Sequence, residues 1–427
     1  FRLLTGALLD SKRVALTLGL PPSTNDIELV RAFKGRLNSE NVTRLSGDYP
    51  PTFVSSAPLM ENVKEGRDIN LLEFPSPKWH EHDGGRYIGT ADCVITKDPN
   101  SDWVNVGAYR VMVHGQNELG IQISSGHHGR MHMTESLKRG EELPIAISFG
   151  HHPLLFAVAG LEIPQGVSEF NYAGALVQRS LKVVKGPVTG LPIPADSEIA
   201  VEGYITKEMK AEGPFGEFMG YYAGGRAKRP VVRVEAVYHR NEPIILGTAP
   251  GRPPFDYSYY RCPLRAAMIW DILEKAGIGD VQGVWCHEAG YSRAFTVVSL
   301  KQAYAGHAKQ AGYIAAQCRP GAFAGRYVVV VDEDIDPTNL YDVIWAMCSR
   351  TDPASNIDII DQTWNTPLDP MTEKTPDKLY EEYTGSRALI FSCKPFSRVL
   401  RGTFPLVAES SQEIQSKIRE KWSSLLN

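Results

Sequence analysis

Between Gly85 and Gly247 the chain is a succession of short apolar runs, each cut off by Gly, Pro, Asn or Asp. Residues 91–97, 104–114, 120–124, 145–149, 198–205 and 230–239 are rich in Val, Ile and Tyr, as strands are. So many short strands over so little chain leave few architectures open, and a barrel or a sandwich is expected. Helical segments at 131–139 and 153–159 interrupt the pattern.

The flanking segments follow a different rhythm. Residues 262–277 carry helical apolar spacing, with Pro263 near the start and Gly277 at the end. Beyond them strands and helices alternate, at 294–300, 305–316, 326–331 and 340–348, which implies a layered α/β unit. The run Arg326-Tyr-Val-Val-Val-Val-Asp332 is continuous rather than alternating, the mark of a strand covered on both faces. Near the start, Asn25 caps a helical pattern, and the Pro-rich passage 74–79 is expected to be a linker or extended arm. The last segment, 411–426, is amphipathic and is expected to pack on a neighbour.

At 427 residues the chain exceeds what one core usually serves, so two or three domains are expected. A net charge of −4 supplies no basic field for nucleic acid or a membrane surface. No apolar run reaches the roughly 18 residues of a membrane span. The six cysteines are scattered, with no CxxC pair, which suits a reducing cytoplasm. The chain opens on Phe1 without a signal-peptide pattern, so residues are expected to precede it.

Chemistry concentrates in a few motifs. Glu212-Gly-Pro-Phe-Gly-Glu217 places two carboxylates around a Gly-Pro turn. Alone it describes an exposed acidic loop; with an arginine between the carboxylates, one would stay ionised while the other moved protons. Asn105-Val-Gly-Ala-Tyr-Arg110 offers an amide and a guanidinium on what reads as one strand, and His127-His128 follows a Gly at the end of another. Glu169 lies in a turn-rich approach to a strand or short helix. Asn, His and Glu would suit Mn²⁺ or Mg²⁺ and a bridging phosphate, and spacing alone does not bring the three together.

Taken in order, these motifs resemble the UbiD family of reversible decarboxylases that use prenylated FMN. The resemblance runs over nearly the whole chain. It rests on Asp83-Gly-Gly-Arg-Tyr87, Asn105…Arg110, Gly126-His-His128, Gly166-Val-Ser-Glu169 with Tyr172 after it, Glu212…Glu217, and Val331-Asp-Glu-Asp-Ile-Asp336. It implies an α/β (α+β) fold: an N-terminal α/β region at 1–80, expected to be incomplete, and a split β-barrel binding prenylated FMN at 81–260. A linking helix at 261–278 and a C-terminal α/β oligomerisation domain at 279–427 complete it.

Carried over by position, Arg110, Glu212 and Glu217 form the catalytic network, with Arg110 on the substrate carboxylate and Glu217 as proton donor. Asn105, Val106, Gly107, Ala108, Tyr109, Arg110, His127, His128, Glu169 and Lys374 contact the cofactor. Asn105, His128 and Glu169 bind the divalent metal. A potassium ion is expected beside it, on Glu169 and carbonyls near Val158, Ala159 and Leu161.

The implied activity is decarboxylation of an aromatic or heteroaromatic acid, hydroxybenzoate-like or fused-ring, releasing CO₂. The implied protein is a cytoplasmic homo-oligomer, dimer or hexamer, with a flavin prenyltransferase as cofactor supplier. A cinnamate-type decarboxylase and a non-catalytic flavin-binding subunit are the alternatives. His127 stands where the ferulic-acid-type members carry Gln, which argues against cinnamate. His127, Phe149, His151, the 291–293 segment and the 364–371 loop are expected to select the substrate, with Arg293 available for a second polar group.

Overall fold

The computed structural model describes residues 2–37, 49–124, 126–161, 163–374 and 382–423. Eight strands pair antiparallel in the spatial order Tyr87–Gly89, Val111–Val113, Glu118–Ile121, Ala227–His239, Ile199–Glu212, Leu143–Phe149, Cys93–Lys97, Val104–Gly107. A ninth strand, Asn62–Glu65, adds to Ala227–His239. The long central pair, Ile199–Glu212 and Ala227–His239, carries register shifts after Glu202 and Ile205 that bend it, and the sheet curls into a half-barrel.

Period-two alternation decides what each face buries. Val94, Ile145, Ile147, Ile199, Val201 and Val237 turn into one core. Their neighbours Cys93, Ile95, Ala146, Ala200, Ala236 and Tyr238 turn into another, shared with the helices. Bulky β-branched side chains fill one side, and mostly smaller ones let helices approach the other. Both faces are covered, which is why several of these strands read as unbroken apolar runs.

The C-terminal sheet has five strands in the order Val281–Cys286, Phe295–Leu300, Tyr327–Asp332, Thr384–Ser392, Ile357–Trp364. The central pairings are parallel and the outer two antiparallel. Val328 and Val330 face the helices His307–Gln317 and Asp256–Lys275, while Val329 and Val331 face Leu340–Arg350. This is the layered α/β unit expected from the alternation. Three of its strands, Val281–Cys286, Ile357–Trp364 and Thr384–Ser392, lie outside the expected alternation.

Several boundaries differ from expectation for local reasons. The linking helix begins at Asp256, not near Pro263, because Ser258 and the Phe255 backbone cap it and buried Tyr259 and Tyr260 hold the first turns. Asp256 accepts from the Leu8 and Gly6 N–H groups, tying the N-terminal strand to that helix. The helix Asp26–Leu37 lies along it, opened by a reciprocal Asn25–Glu28 capping box. His127 and His128 do not close a strand; His128 opens the helix His128–Lys138. The single strand expected over 104–114 is two strands, broken at Ala108-Tyr109-Arg110. The last helix is Gln412–Lys421, with Ile414, Ile418 and Trp422 half-exposed; residues 424–427 lie outside the described residues.

The Glu212–Glu217 turn is clasped by the Asp83-Gly84 corner. Gly84 donates its N–H to the Pro214 carbonyl at 2.7 Å, and Gly216 donates to Asp83 Oδ1 at 3.2 Å. Gly213 adopts φ +82°, open to glycine and strained for other residues. A Cβ on Gly84 would overlap the Gly213 carbonyl oxygen, and backbone cannot yield as a side-chain tip can. Gly84→Ala is therefore expected to cost about 1–3 kcal/mol, the usual range for forced overpacking, and to displace the turn. Equilibrium urea unfolding checks the first effect, and loss of Glu217 function in the assay below checks the second.

Candidate active site

Arg110 is held in the gap between two strands, and from there its guanidinium spans both carboxylates of the turn. Nε donates to Glu212 Oε1 at 2.7 Å, Nη2 to Glu212 Oε2 at 3.0 Å, and Nη1 to Glu217 Oε1 at 2.6 Å. Burial works against the guanidinium charge, but Glu217 and Glu212 more than offset this, and the arginine pKa is raised. The Phe215 ring lies 5.1 Å from the guanidinium carbon and packs on Tyr87, closing that side to water.

The two carboxylates are not equivalent. Glu212 is buried, and Oε1 also accepts from the Tyr87 hydroxyl at 2.8 Å. Burial and the Glu212 charge raise the Tyr87 pKa, so this phenol is a permanent donor. Three charge-assisted or buried hydrogen bonds hold the Glu212 carboxylate in place. Among the described residues Glu217 takes its side-chain bond from Arg110 alone, and it faces a cavity of about 430 Å³. Gly224 opposes it, and the missing side chain there leaves room for the carboxylate.

That cavity gathers Arg110, Glu217, Ala108, Tyr109, His127 and Lys374 from the expected set. His127 stands edge-on to Tyr109, with ring centroids 5.6 Å apart. Lys374 donates to the Ala223 carbonyl across the cavity mouth. Pro367 and Leu368 reach the wall from the C-terminal unit, anchored by Asp369, which accepts from Asn365 Nδ2 at 2.8 Å and pairs with Arg326.

Other expected selectivity residues are elsewhere. Phe149 is fully buried in the sheet. His151 is also buried; its ring bonds Cys93 and Ser148, and burial pushes its pKa down to about 3. Arg293 stacks on Phe323 and is not part of the cavity wall.

Asn105 and Glu169 act on one side chain, Tyr109, while His128 stands edge-on to Trp103 with ring centroids 4.8 Å apart. The Tyr109 phenol is packed against Gly107 and Gly129 and interacts with the Asn105 amide, the Gly129 N–H and the Glu169 charge. Asn105 is buried, and its Nδ2 makes no hydrogen bond of normal geometry despite that contact. Glu169 opens the helix Glu169–Val177 and accepts from the Val106 N–H at 2.6 Å. Burial raises its pKa to about 8, against the pull of that bond. Burial lowers the His128 pKa, which favours the neutral imidazole that ligation requires. Among the described residues no three His, Cys, Asp or Glu side chains converge, and this set has two of them plus an amide. The Ala159 carbonyl, one of those expected near potassium, accepts from Ala108 N–H at 3.3 Å.

Among the polar residues that sequence reasoning missed here are Tyr87, Arg130 and Arg229. Tyr87 was quoted only as the end of a motif, and nothing local links it to Glu212, 125 residues away. Arg130 and Arg229 line the cavity without belonging to any motif.

A family profile for the UbiD 3-octaprenyl-4-hydroxybenzoate carboxy-lyase Rift-related domain matches residues 52–253, and one for the C-terminal domain of the same carboxy-lyases matches 258–391. A phenolic acid decarboxylase of Streptomyces sp. (strain D7) is 33% identical over 406 residues, 93% of this chain and 81% of that protein. A pyrrole-2-carboxylic acid decarboxylase of Pseudomonas aeruginosa is 30% identical over 423 residues, 96% of this chain and 83% of its own. Sedimentibacter hydroxybenzoicus vanillic acid decarboxylase, in open form, superposes with a TM-score of 0.85 at 27% identity, over 100% of this chain and 87% of that one. An evolved dimeric form of the UbiD-class enzyme HmfF from Pelotomaculum thermopropionicum, in complex with prFMN, gives 0.77 at 26% identity, over 96% and 85%. The expected fold is thus shared with solved enzymes across almost the full length, and the chain belongs to the UbiD family of carboxy-lyases.

Proposed function

We propose that this chain catalyses the reversible, non-oxidative decarboxylation of an aromatic or heteroaromatic carboxylic acid with prenylated FMN, Arg110 holding the carboxylate and Glu217 delivering the proton. The observation that carries this is the forked Arg110, bound to one locked carboxylate and one that faces the cavity. A relative that decarboxylates phenolic acids and a structural neighbour in complex with prFMN support the substrate class and the cofactor. A non-catalytic flavin-binding subunit would have no use for that asymmetry.

The residues present suit the cofactor and its metal. The cavity wall is rich in cations, and Asn105, His128 and Glu169 offer the oxygen and nitrogen donors that such a metal takes. They would hold Mn²⁺ or Mg²⁺ against the flavin phosphate, with K⁺ beside Glu169. Bound there, prenylated FMN supplies the electron sink that no side chain offers when CO₂ departs.

The protein's part is positioning and proton transfer. Nη1 of Arg110 faces the cavity through Glu217, so an incoming carboxylate can take that hydrogen bond and release Glu217. Glu212 keeps the other edge of the guanidinium filled, so Arg110 stays oriented and neutralised throughout. Glu217, freed from Arg110, takes up a proton from water in the cavity, donates it to the ring carbon once CO₂ has left, and returns as a carboxylate to Arg110. Phe215 and Tyr87 keep bulk water from the guanidinium.

Glu217→Gln is expected to retain bound flavin and lose turnover by about 100-fold or more, the scale of a removed general acid. CO₂ release by enzyme prepared with a flavin prenyltransferase reads this, and unchanged turnover would remove Glu217 from the role. Chelation with EDTA, or Glu169→Ala, is expected to release the flavin, measured by absorbance after desalting. Full retention would detach the Asn105–His128–Glu169 set from the cofactor.

A further inference from the structure

Five cationic side chains line the cavity, Arg110, Arg130, Arg229, Arg261 and Lys374, against the single carboxylate of Glu217. Three of the five are occupied. Arg110 is bound by the glutamates, Lys374 by the Ala223 carbonyl, and Arg261 stacks on Tyr257 at 4.8 Å while donating Nε to the Tyr260 hydroxyl. The guanidinium groups of Arg130 and Arg229 have neither hydrogen-bond nor ion-pair partner among the described residues, and Arg229 Nε is buried in that condition.

The position of Arg229 ties it to the chemistry. In the ladder between the two long strands, Ala227 lies opposite Glu212 and Arg229 opposite Lys210, so Arg229 projects from the same face two residues along. The charges of Glu212, Arg110, Arg130 and Glu217 all act on it. Two unpaired guanidinium groups beside a third are held together against their mutual repulsion and partial desolvation, and an oxyanion between them removes that penalty. The carboxylate that leaves as CO₂ is assigned to Arg110, and the cofactor phosphate to the Asn105–His128–Glu169 set. An anion is still needed.

We infer that Arg229 and Arg130 form a second anion-binding subsite beside the Arg110–Glu217 pair, and that the acid bound here carries a second carboxylate, kept on the ring while the first is lost. This rests on the decarboxylase assignment for the fate of the first carboxylate, though not for the binding itself. The role once expected of Arg293 falls to these two arginines.

The test is calorimetric binding, with the cofactor-loaded enzyme, of benzoate and of the three benzene dicarboxylates. At least one dicarboxylate should bind about tenfold or more tightly than benzoate, which is about 1.4 kcal/mol. Arg229→Gln should abolish that preference with flavin content unchanged, and Arg229→Lys should restore part of it. Equal affinities for mono- and dicarboxylates would overturn the inference. So would loss of flavin from Arg229→Gln, which would give the arginine to the cofactor phosphate. Wild-type enzyme that prefers a dicarboxylate yet releases no CO₂ from any acid would leave the subsite standing and sink the decarboxylase assignment instead.

Discussion

Everything in the site depends on one guanidinium being divided between two carboxylates in different surroundings. Glu212 and Glu217 are the ends of the same six-residue turn and share the same arginine. What separates them is the number of other donors. Tyr87 adds a bond to Glu212, in a spot with no access to the cavity, whereas Glu217 stands at the wall. An arginine fork binding one carboxylate bidentately through Nε and Nη2 is geometrically stiff, so Nη1 is aimed by default. A lysine there would supply the same charge and none of that aim.

Such a fork needs a rigid frame, and the frame comes from burying the half-barrel on both faces. The strand carrying Glu212 ends the sheet's longest pairing, so its last residue is located by the ladder behind it. The turn that follows is then pressed against Asp83-Gly84, where backbone meets backbone too closely for any side chain. Arg110 enters from a break between two strands, where the chain is not committed to a ladder. Precision at the site is inherited from contacts that carry no chemistry.

The same distinction explains what was legible in the sequence. The strands could be located because Gly and Pro cut apolar runs into short pieces, and the helix Pro153–Ala159 because its Pro sits at the first turn. The Glu212…Glu217 pair and Arg110 were visible because they form compact motifs. Tyr87, Arg130 and Arg229 act only through distant neighbours, and single residues in otherwise ordinary strands or helices leave no local trace. His151 misled for the converse reason: a histidine near a predicted strand end looks available, and only the packing shows it sealed against Cys93 and Ser148. Pro263 misled because a proline usually marks a helix start, whereas buried tyrosines and a capping serine extend this helix ahead of it.

The cavity is also a junction between the two units. Arg110, His127, Glu217 and Arg229 come from the half-barrel, while Pro367, Leu368 and Lys374 come from the C-terminal unit and close over them. The half-barrel therefore sets the reacting geometry, and the C-terminal loop sets how much room lies above it. Asp369 holds that loop to its own sheet through Arg326 and Asn365, and Lys374 ties it to the barrel at Ala223. The Arg110–Glu217 pair and the loop above it are thus carried by separate frames. If the proposed roles hold, changes in the loop would alter which acid fits without touching the fork of Arg110, Glu212 and Glu217.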